Sequence, residues 1–369
     1  MPATKVVVNI PGEVAYNVRI GAGVLASLGQ SMRNVPLLAG AEQVLVITDA
    51  NVGPLYLSRA KASLTEVGYH VSDICVPVGE EAKSIAVIGE VWEAMAALAL
   101  ERDCVVVALG GGCVGDLAGF AAATYMRGVQ VVQVPTTLLS MVDSSVGGKT
   151  GVNLTAGKNL VGAFKQPAFV CADTDVLATL PPREWACGCG EVAKSALIDG
   201  DEFFFWLSDQ AQAMAARQAD VVAEAIARCV VFKADVVAQD KTESRGVREC
   251  LNYGHTLAHA IEKLSGYGTD SHGHAVAEGM RFAALLGESL VGTPAELAEA
   301  QAQLLDALNL PALDWKATPE NVLETMKRDK KARHGQERFM LLEDVGAWKL
   351  VDVDDATILR HLQTYFAGK

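Results

Sequence analysis

CVVVALGGGCVGDLAGFAAATYM, residues 104–126, decides the fold. An apolar, β-branched run from Val105 to Leu109 ends in three consecutive glycines and passes at once into a stretch of small and apolar residues with helical character. A strand apolar on both faces belongs inside a sheet covered by helices, which is the parallel α/β arrangement. Gly110, Gly112 and Gly115 satisfy the pattern G-x-G-x-x-G in a strand, turn and helix context. There, backbone N–H groups and a helix N-terminus can face a pyrophosphate, because glycine permits close approach. The motif does not follow the first strand of the chain, so it is not the usual first-turn dinucleotide fingerprint. A tight structural turn is the alternative.

Upstream, QVLVITDANVG (43–53) is a short apolar run closing on Asp49, a candidate for ribose hydroxyls or simply a helix cap. A helical YLSRAKASLTEVG, a strand HVSDICVPV and a helical IAVIGEVWEAMAALALE follow it, and VQVVQVPTT adds a strand downstream of the glycines. This alternation predicts βαβ units and a largely parallel sheet. TKVVVNIPGEVAYNVRI (4–20) reads as a hairpin about Pro-Gly. After about residue 181 the periodicity becomes helical, with start signals at Thr293-Pro294 and Thr318-Pro319, while ERFMLLEDVGAWKLVDV (337–353) suggests a short strand pair. The expected architecture is therefore a Rossmann-like α/β domain over residues 1–181 and an all-helical domain over 182–369, with Pro181-Pro182 near the boundary.

A chain of 369 residues exceeds what one hydrophobic core usually serves, consistent with two domains. Its formal charge of −13 argues against nucleic acid or an anionic membrane as partner, since both are bound through basic surfaces. Any anionic ligand then needs a local basic cluster. The start lacks a signal-peptide pattern, no apolar run is long enough to span a bilayer, and the 8 cysteines are scattered through apolar runs. These features lead us to expect a soluble, cytoplasmic protein. CGCG (187–190), without a second cysteine pair, is a weak metal signal.

DSSVGGKT (143–150) approaches a P-loop, but Asp143 stands where the first glycine should be, and a carboxylate there would face the phosphates. We read instead a flexible glycine-rich segment in which Lys149, followed by Lys158 and Asn159, can bind an anion. Glu191 and Lys194 in GEVAKSALI lie at i and i+3 on a helix, which is either a surface salt bridge or part of a site. Four of the 7 histidines fall within residues 255–274. His255 and His259 are one turn apart on one helix face, so spacing allows either or both to hold a metal. A carboxylate with two imidazoles leaves an open position, as in a catalytic zinc site.

The stretches GEEAKS (79–84), GGGCVGDLAGFAAATYMRGV (110–129), VPTTLLSMVDSSVGGKTGVN (134–153), GKNLVGAF (157–164), GEVAKSALI (190–198), LNYGHTLAHAIE (251–262), HGHAVAEGM (272–280) and RDKKARHG (328–335) together resemble the 3-dehydroquinate synthases, within the NAD-dependent sugar phosphate cyclases. The resemblance implies an NAD site at Asp49, Asn51, Glu80, Lys83, Gly111, Gly112, Asp116, Thr136, Thr137 and Thr179, with Asp143, Lys149 and Lys158 close to both cofactor and substrate. It implies Glu191, His255 and His272 as ligands of zinc or cobalt. It assigns substrate contacts to Arg127, Lys149, Asn159, Lys194, Lys233, Arg248, Asn252, His259 and one of Lys330 or Lys331, with Asp143, Lys149, Asn159, Lys194, Lys233 and His259 acting in the chemistry. On this reading only His255 of the helical pair binds metal. The resemblance also implies a homodimer, with Arg127 donated across the dimer interface.

The implied activity is that of a carbon–oxygen lyase. It converts 3-deoxy-D-arabino-heptulosonate 7-phosphate to 3-dehydroquinate and phosphate by transient oxidation, elimination, reduction, ring opening and aldol closure, a step toward aromatic amino acids. Three departures bear on local metal geometry: His274 replaces the family's usual glutamate, CGCGE replaces small and apolar residues, and KTESRGVR is one residue longer than its counterpart. Sister cyclases and polyol dehydrogenases are the competing readings. Retention of Lys233, Asn252, His259 and the Lys330-Lys331 pair favours the carboxylate-bearing substrate.

Overall fold

The computed structural model describes residues 3–266, 271–329 and 336–368. The chain divides into two compact units. One runs to Leu180 and takes in Val222–Thr242; the other comprises Pro181–Val221 and the chain from Glu243 onward. A single cut at 181/182 does not describe this division, because all but the first three residues of the long helix Ala219–Gln239 belong to the first unit.

The first unit is built on a seven-stranded sheet. Its strands are β1 (Thr4–Val8), β2 (Tyr16–Gly21), β3 (Gln43–Asp49), β4 (His70–Val76), β5 (Val105–Gly110), β6 (Gln130–Pro135) and β9 (Phe169–Asp173), in the order β1-β2-β9-β6-β5-β3-β4. β1 and β2 form the antiparallel hairpin about Pro11-Gly12, and every other pairing is parallel. Every residue of β5 is buried, as its doubly apolar sequence requires. Leu45, Ile47, Val106 and Ala108 on one sheet face pack with Ile88 and Val91 of helix Ile85–Ala97 and with Leu117 and Ala121 of helix Gly112–Thr124. β9, a short run that the sequence reading does not single out, bridges β2 and β6.

The segment expected to be flexible, 143–150, leads from the turn Ser140–Ser144 into an antiparallel hairpin, β7 (Lys149–Leu154) with β8 (Gly157–Phe164). Its glycines lower intrinsic strand preference, but Gly162 lies so close to the Thr150 carbonyl that any Cβ would collide with it. Close backbone approach is what Gly151 and Gly162 provide.

The second unit is mainly helical. Helices Pro182–Asp199, His255–Leu264 and His272–Leu290 carry the residues of interest, and helices begin at Ala295 and Pro319 as the start signals predict. The unit is not all-helical, since β10 (Glu337–Asp344) and β11 (Ala347–Val353) form an antiparallel pair. Among the described residues no helix is long and apolar enough to cross a membrane.

Candidate active site

Helix Pro182–Asp199 is buried at every residue from Trp185 to Ile198, so Glu191 and Lys194 are interior groups and not a surface salt bridge. Lys194 Nζ pairs with Glu191 Oε2. Glu191 Oε1 is buried and accepts no well-formed hydrogen bond; it faces His255 Nε2 at 3.6 Å and His272 Nε2 at 3.5 Å. An ion held tetrahedrally with bonds of 2.0–2.1 Å would separate its ligand atoms by about 3.4 Å. The geometry therefore fits a divalent cation. Among the described residues Glu191, His255 and His272 are the one such group of metal-ligating side chains, their donor atoms lying within 4.8 Å of one another.

Electrostatics act differently on the three groups. Burial and the neighbouring Lys194 ammonium push His255 well below its ordinary pKa, which keeps the ring neutral. Its Nδ1 lies 3.1 Å from the Tyr253 carbonyl, so Nδ1–H donates there and the Nε2 lone pair points to the cluster. Burial opposes charge on His272 as well, but the Glu191 and Glu262 carboxylates outweigh it and raise this ring to about 10. Burial would raise Glu191, yet Lys194 and the two imidazoles hold it well below the usual carboxylate range.

His259 and His274 are not members of the group. His259 meets His255 edge-on, with ring centroids 5.7 Å apart. His274 Nδ1 hydrogen-bonds Ser271 Oγ at 2.6 Å. Cys187 and Cys189 are buried free thiols, each pushed up to about 12 by burial, and Cys187 Sγ accepts from Gly273 N. A metal-binding C-x-C pair needs accessible thiolates, which burial here disfavours.

Glycines set the spacing of the three ligands. Gly190 precedes Glu191, Gly254 precedes His255, and Gly273 follows His272. A Cβ on Gly190 would lie 2.6 Å from the Gly273 carbonyl oxygen, and one on Gly273 would collide with the Cys187 carbonyl. A Cβ on Gly254 would lie 2.7 Å from the Val276 carbonyl oxygen, and one on Gly279 would collide with the Gly254 carbonyl. Helix His272–Leu290 thus touches both partner segments backbone to backbone beside each ligand. Gly254 also adopts φ 78°, a left-handed conformation suited to glycine, immediately before the helix that His255 begins.

In the first unit, chain order reverses between β3 and β5. β4 lies on one side of β3, whereas β5, β6 and β9 continue on the other. Ligands of such sheets bind beyond the carboxyl ends of the strands where this reversal occurs. At those ends stand Asp49 on β3, Gly111 and Gly112 after β5, and Thr136 and Thr137 after β6. No side chain caps helix Gly112–Thr124, so its first-turn amides can meet a pyrophosphate. These features fit a dinucleotide. Gly112 also serves the protein's own packing, since its Cβ would lie 3.0 Å from Ser144 Oγ. Asp49 does cap the following turn, its Oδ1 accepting from Asn51 N and Val52 N at 2.9 Å; these bonds engage Oδ1 alone, so a ribose contact stays compatible.

Lys83 is buried, pairs with Asp116 at 2.6 Å and donates to Asn159 Oδ1. Desolvation opposes its charge, but Asp116 more than offsets this and raises its pKa. Asn153, absent from the sequence candidates, links the network: its Nδ2 donates to Glu80 Oε2 at 2.7 Å and its Oδ1 accepts from Asn159 N at 2.8 Å. Lys158 lies 3.5 Å from Glu80. Lys233 Nζ donates to Asp143 Oδ1 at 2.6 Å and to the Asp143 carbonyl at 2.7 Å, within the π-helical turn Ser140–Ser144. Lys149 opens β7 and is exposed, while Thr179 hydrogen-bonds Tyr56.

Arg127 and Met126 have φ of 68° and 48°, left-handed values that cost free energy in residues other than glycine. Arg248 is 2% exposed, and Asn252 closes the same 3₁₀ turn, Val247–Asn252. Lys330 and Lys331 lie outside the described residues. Glu262 and Asn153 were legible in principle, because Glu262 lies seven residues after His255 on the same helix face and Asn153 closes the quoted TGVN stretch.

Two family models match the chain: 3-dehydroquinate synthase N-terminal over residues 73–187 and 3-dehydroquinate synthase C-terminal over residues 188–332. A 3-dehydroquinate synthase of Rhodopirellula baltica is 44% identical over 339 residues, covering 91% of this chain and 90% of its own. Among solved structures, 2-deoxy-scyllo-inosose synthase complexed with carbaglucose-6-phosphate, NAD+ and Co2+ is similar with a TM-score of 0.87 at 28% identity, covering 98% of this chain and 99% of its own. The 2-epi-5-epi-valiolone synthase of Streptomyces hygroscopicus, with NAD+ and Zn2+ bound, is similar with a TM-score of 0.83 at 26% identity, covering 98% and 99%.

Proposed function

The chain belongs to the 3-dehydroquinate synthase family, and from that premise we propose that it converts 3-deoxy-D-arabino-heptulosonate 7-phosphate to 3-dehydroquinate and phosphate as an NAD- and metal-dependent carbon–oxygen lyase. The observation that carries this reading is the convergence of Glu191, His255 and His272 in a chain whose match to the family extends through both halves. When bound, NAD supplies a reversible hydride acceptor and a divalent zinc or cobalt ion supplies a Lewis acid for the oxygen at the carbon being oxidised.

The chain's own residues bind, orient and move protons. Gly111, Gly112 and the helix they open hold the pyrophosphate, with Asp49, Asn51, Thr136, Thr137 and Thr179 around the rest of the dinucleotide. Asp116, fixed by Lys83, and Glu80, fixed by Asn153, set the edge of that site. Glu191, His255 and His272 hold the metal. Lys194 keeps the Glu191 carboxylate turned so that Oε1 faces the imidazoles, and it presents positive charge to the substrate.

Lys149, Lys233, Arg248, Asn159 and Asn252 provide the basic and polar groups that a substrate bearing both carboxylate and phosphate requires, with Asp143 orienting Lys233. His259, outside the metal group, contacts the phosphate and manages its proton. Lys330 or Lys331 completes the set. The chain acts in the cytoplasm as a homodimer.

Incubated with the heptulosonate phosphate, Zn2+ and catalytic NAD, the protein should release one phosphate per 3-dehydroquinate with no net NADH. Stoichiometric NADH would point to a polyol dehydrogenase and overturn the reading. A second expectation concerns the dimer. Arg127 should complete the neighbouring subunit's phosphate site, its backbone strain at φ 68° being retained for that reach. Mixing an Arg127→Ala chain with a Lys194→Ala chain should restore partial activity through hybrid sites. Absence of recovery after demonstrated subunit exchange would rule out a shared site.

A further inference from the structure

We propose that Glu262 is a positioning residue for the metal centre: its carboxylate aims the His272 imidazole at the ion and supplies a second negative charge beside it. The inference rests on the reading of Glu191, His255 and His272 as metal ligands. Glu262 Oε1 lies 3.4 Å from His272 Nδ1. A proton on Nδ1 donated to this carboxylate fixes the tautomer that leaves Nε2 for the metal, and Nε2 is the atom that faces Glu191.

The two ligand histidines are supported differently. The acceptor for His255 is a neutral carbonyl, Tyr253, whereas for His272 it is an anion from another helix. An anionic acceptor makes the imidazole a stronger donor and offsets the charge of a divalent ion, and this is most needed here because the Lys194 ammonium stands on Glu191. The Glu262 side chain is 16% exposed, so solvent only partly screens its charge.

The position of Glu262 also couples the ligands. Helix His255–Leu264 carries His255 at its first residue and Glu262 two turns later on the same face. Displacement of that one helix would therefore disturb both imidazoles, one directly and one through the carboxylate. A purely structural cross-link between helices would lower thermal stability yet leave metal affinity of the folded chain unchanged, and that separates the two roles.

The test is competition for Zn2+ between a chromophoric chelator and the full chain, using wild type, Glu262→Ala, Glu262→Gln and, as control, Lys263→Ala. Glu262→Ala should weaken Zn2+ binding by about 10- to 100-fold, the range for removing such a partner of a ligand histidine. Glu262→Gln keeps an oxygen acceptor and loses the charge, so its loss should be smaller but measurable; it also preserves the volume and carries the test if the alanine chain does not fold. The Co2+-loaded variants should show altered visible absorption, and Lys263→Ala should match wild type. Wild-type Zn2+ affinity in both Glu262 variants, even with a lowered melting temperature, would overturn the proposal. Failure of wild type itself to bind one equivalent would instead overturn the metal reading, and this proposal with it.

Discussion

Alanine at His255 or at His272 should yield a folded chain that purifies without stoichiometric metal and has almost no activity. Each change removes an Nε2 donor from a three-ligand group, and the weakening should exceed the roughly 100-fold that losing a supporting partner can cause. His259→Ala is the informative comparison, because His259 shares the helix face of His255 but lies outside the group. It should keep metal near stoichiometry and lose about 100-fold or more in turnover, as expected when a positioned acid–base group is removed. His274→Ala, which removes the bond to Ser271 but no ligand of the group, should keep both. Metal analysis of the four purified variants decides the matter. Loss of metal from His259→Ala with retention in His272→Ala would reverse the assignment.

Gly273→Ala should be nearly as damaging although it removes no ligand. The added methyl would collide with the Cys187 carbonyl, and neither backbone can yield without separating helix Pro182–Asp199 from helix His272–Leu290. Those helices carry Glu191 and His272, so the separation between their ligand atoms, 3.5 Å, must grow. We expect a stability loss of about 3 kcal/mol, the upper end of ordinary overpacking, together with weakened metal binding. Gly89→Ala is the control: Gly89 also lies within a helix, but apart from its chain neighbours and its own helix backbone no heavy atom comes within 4 Å of its Cβ position. That substitution should stabilise the chain by up to about 1 kcal/mol, since alanine is the better helix former. Chemical denaturation and Zn2+ titration of the two variants check the contrast, and a Gly273→Ala chain with unchanged stability and affinity would refute the account of the glycine contacts.

Much of the architecture was legible in local pattern. The run Val105–Leu109 with its glycines announced a buried parallel strand and the helix after it, and Pro11-Gly12 announced the first hairpin. Residue types at fixed helical spacing, Glu191 with Lys194 and His255 with His259, identified the chemistry on offer. They did not say whether it was used. The Glu191–Lys194 pair fitted a surface salt bridge equally well by spacing, and only its burial separates the readings. Glycine content suggested a flexible segment at 143–150, but its end, Lys149-Thr150, lies in a strand whose cross-strand pairing, as of Val152 with Val161, forms a hairpin.

The sequence by itself determined the periods of the elements, the composition of the candidate site and, through its motifs, the family. Tertiary structure decided which candidates meet. The strand order β6-β5-β3-β4 brings Asp49, Gly111, Gly112, Thr136 and Thr137 to adjacent strand ends, although they are spread along the chain. The fold likewise returns Val222–Thr242 to the first unit, giving Lys233 its partner Asp143, and it chooses His272 over His259 as the companion of His255. Spacing along a helix fixes only which side chains share a face. Whether a face meets another depends on how closely the backbones approach, and here glycines without a Cβ set that distance at Gly190, Gly254, Gly273 and Gly279.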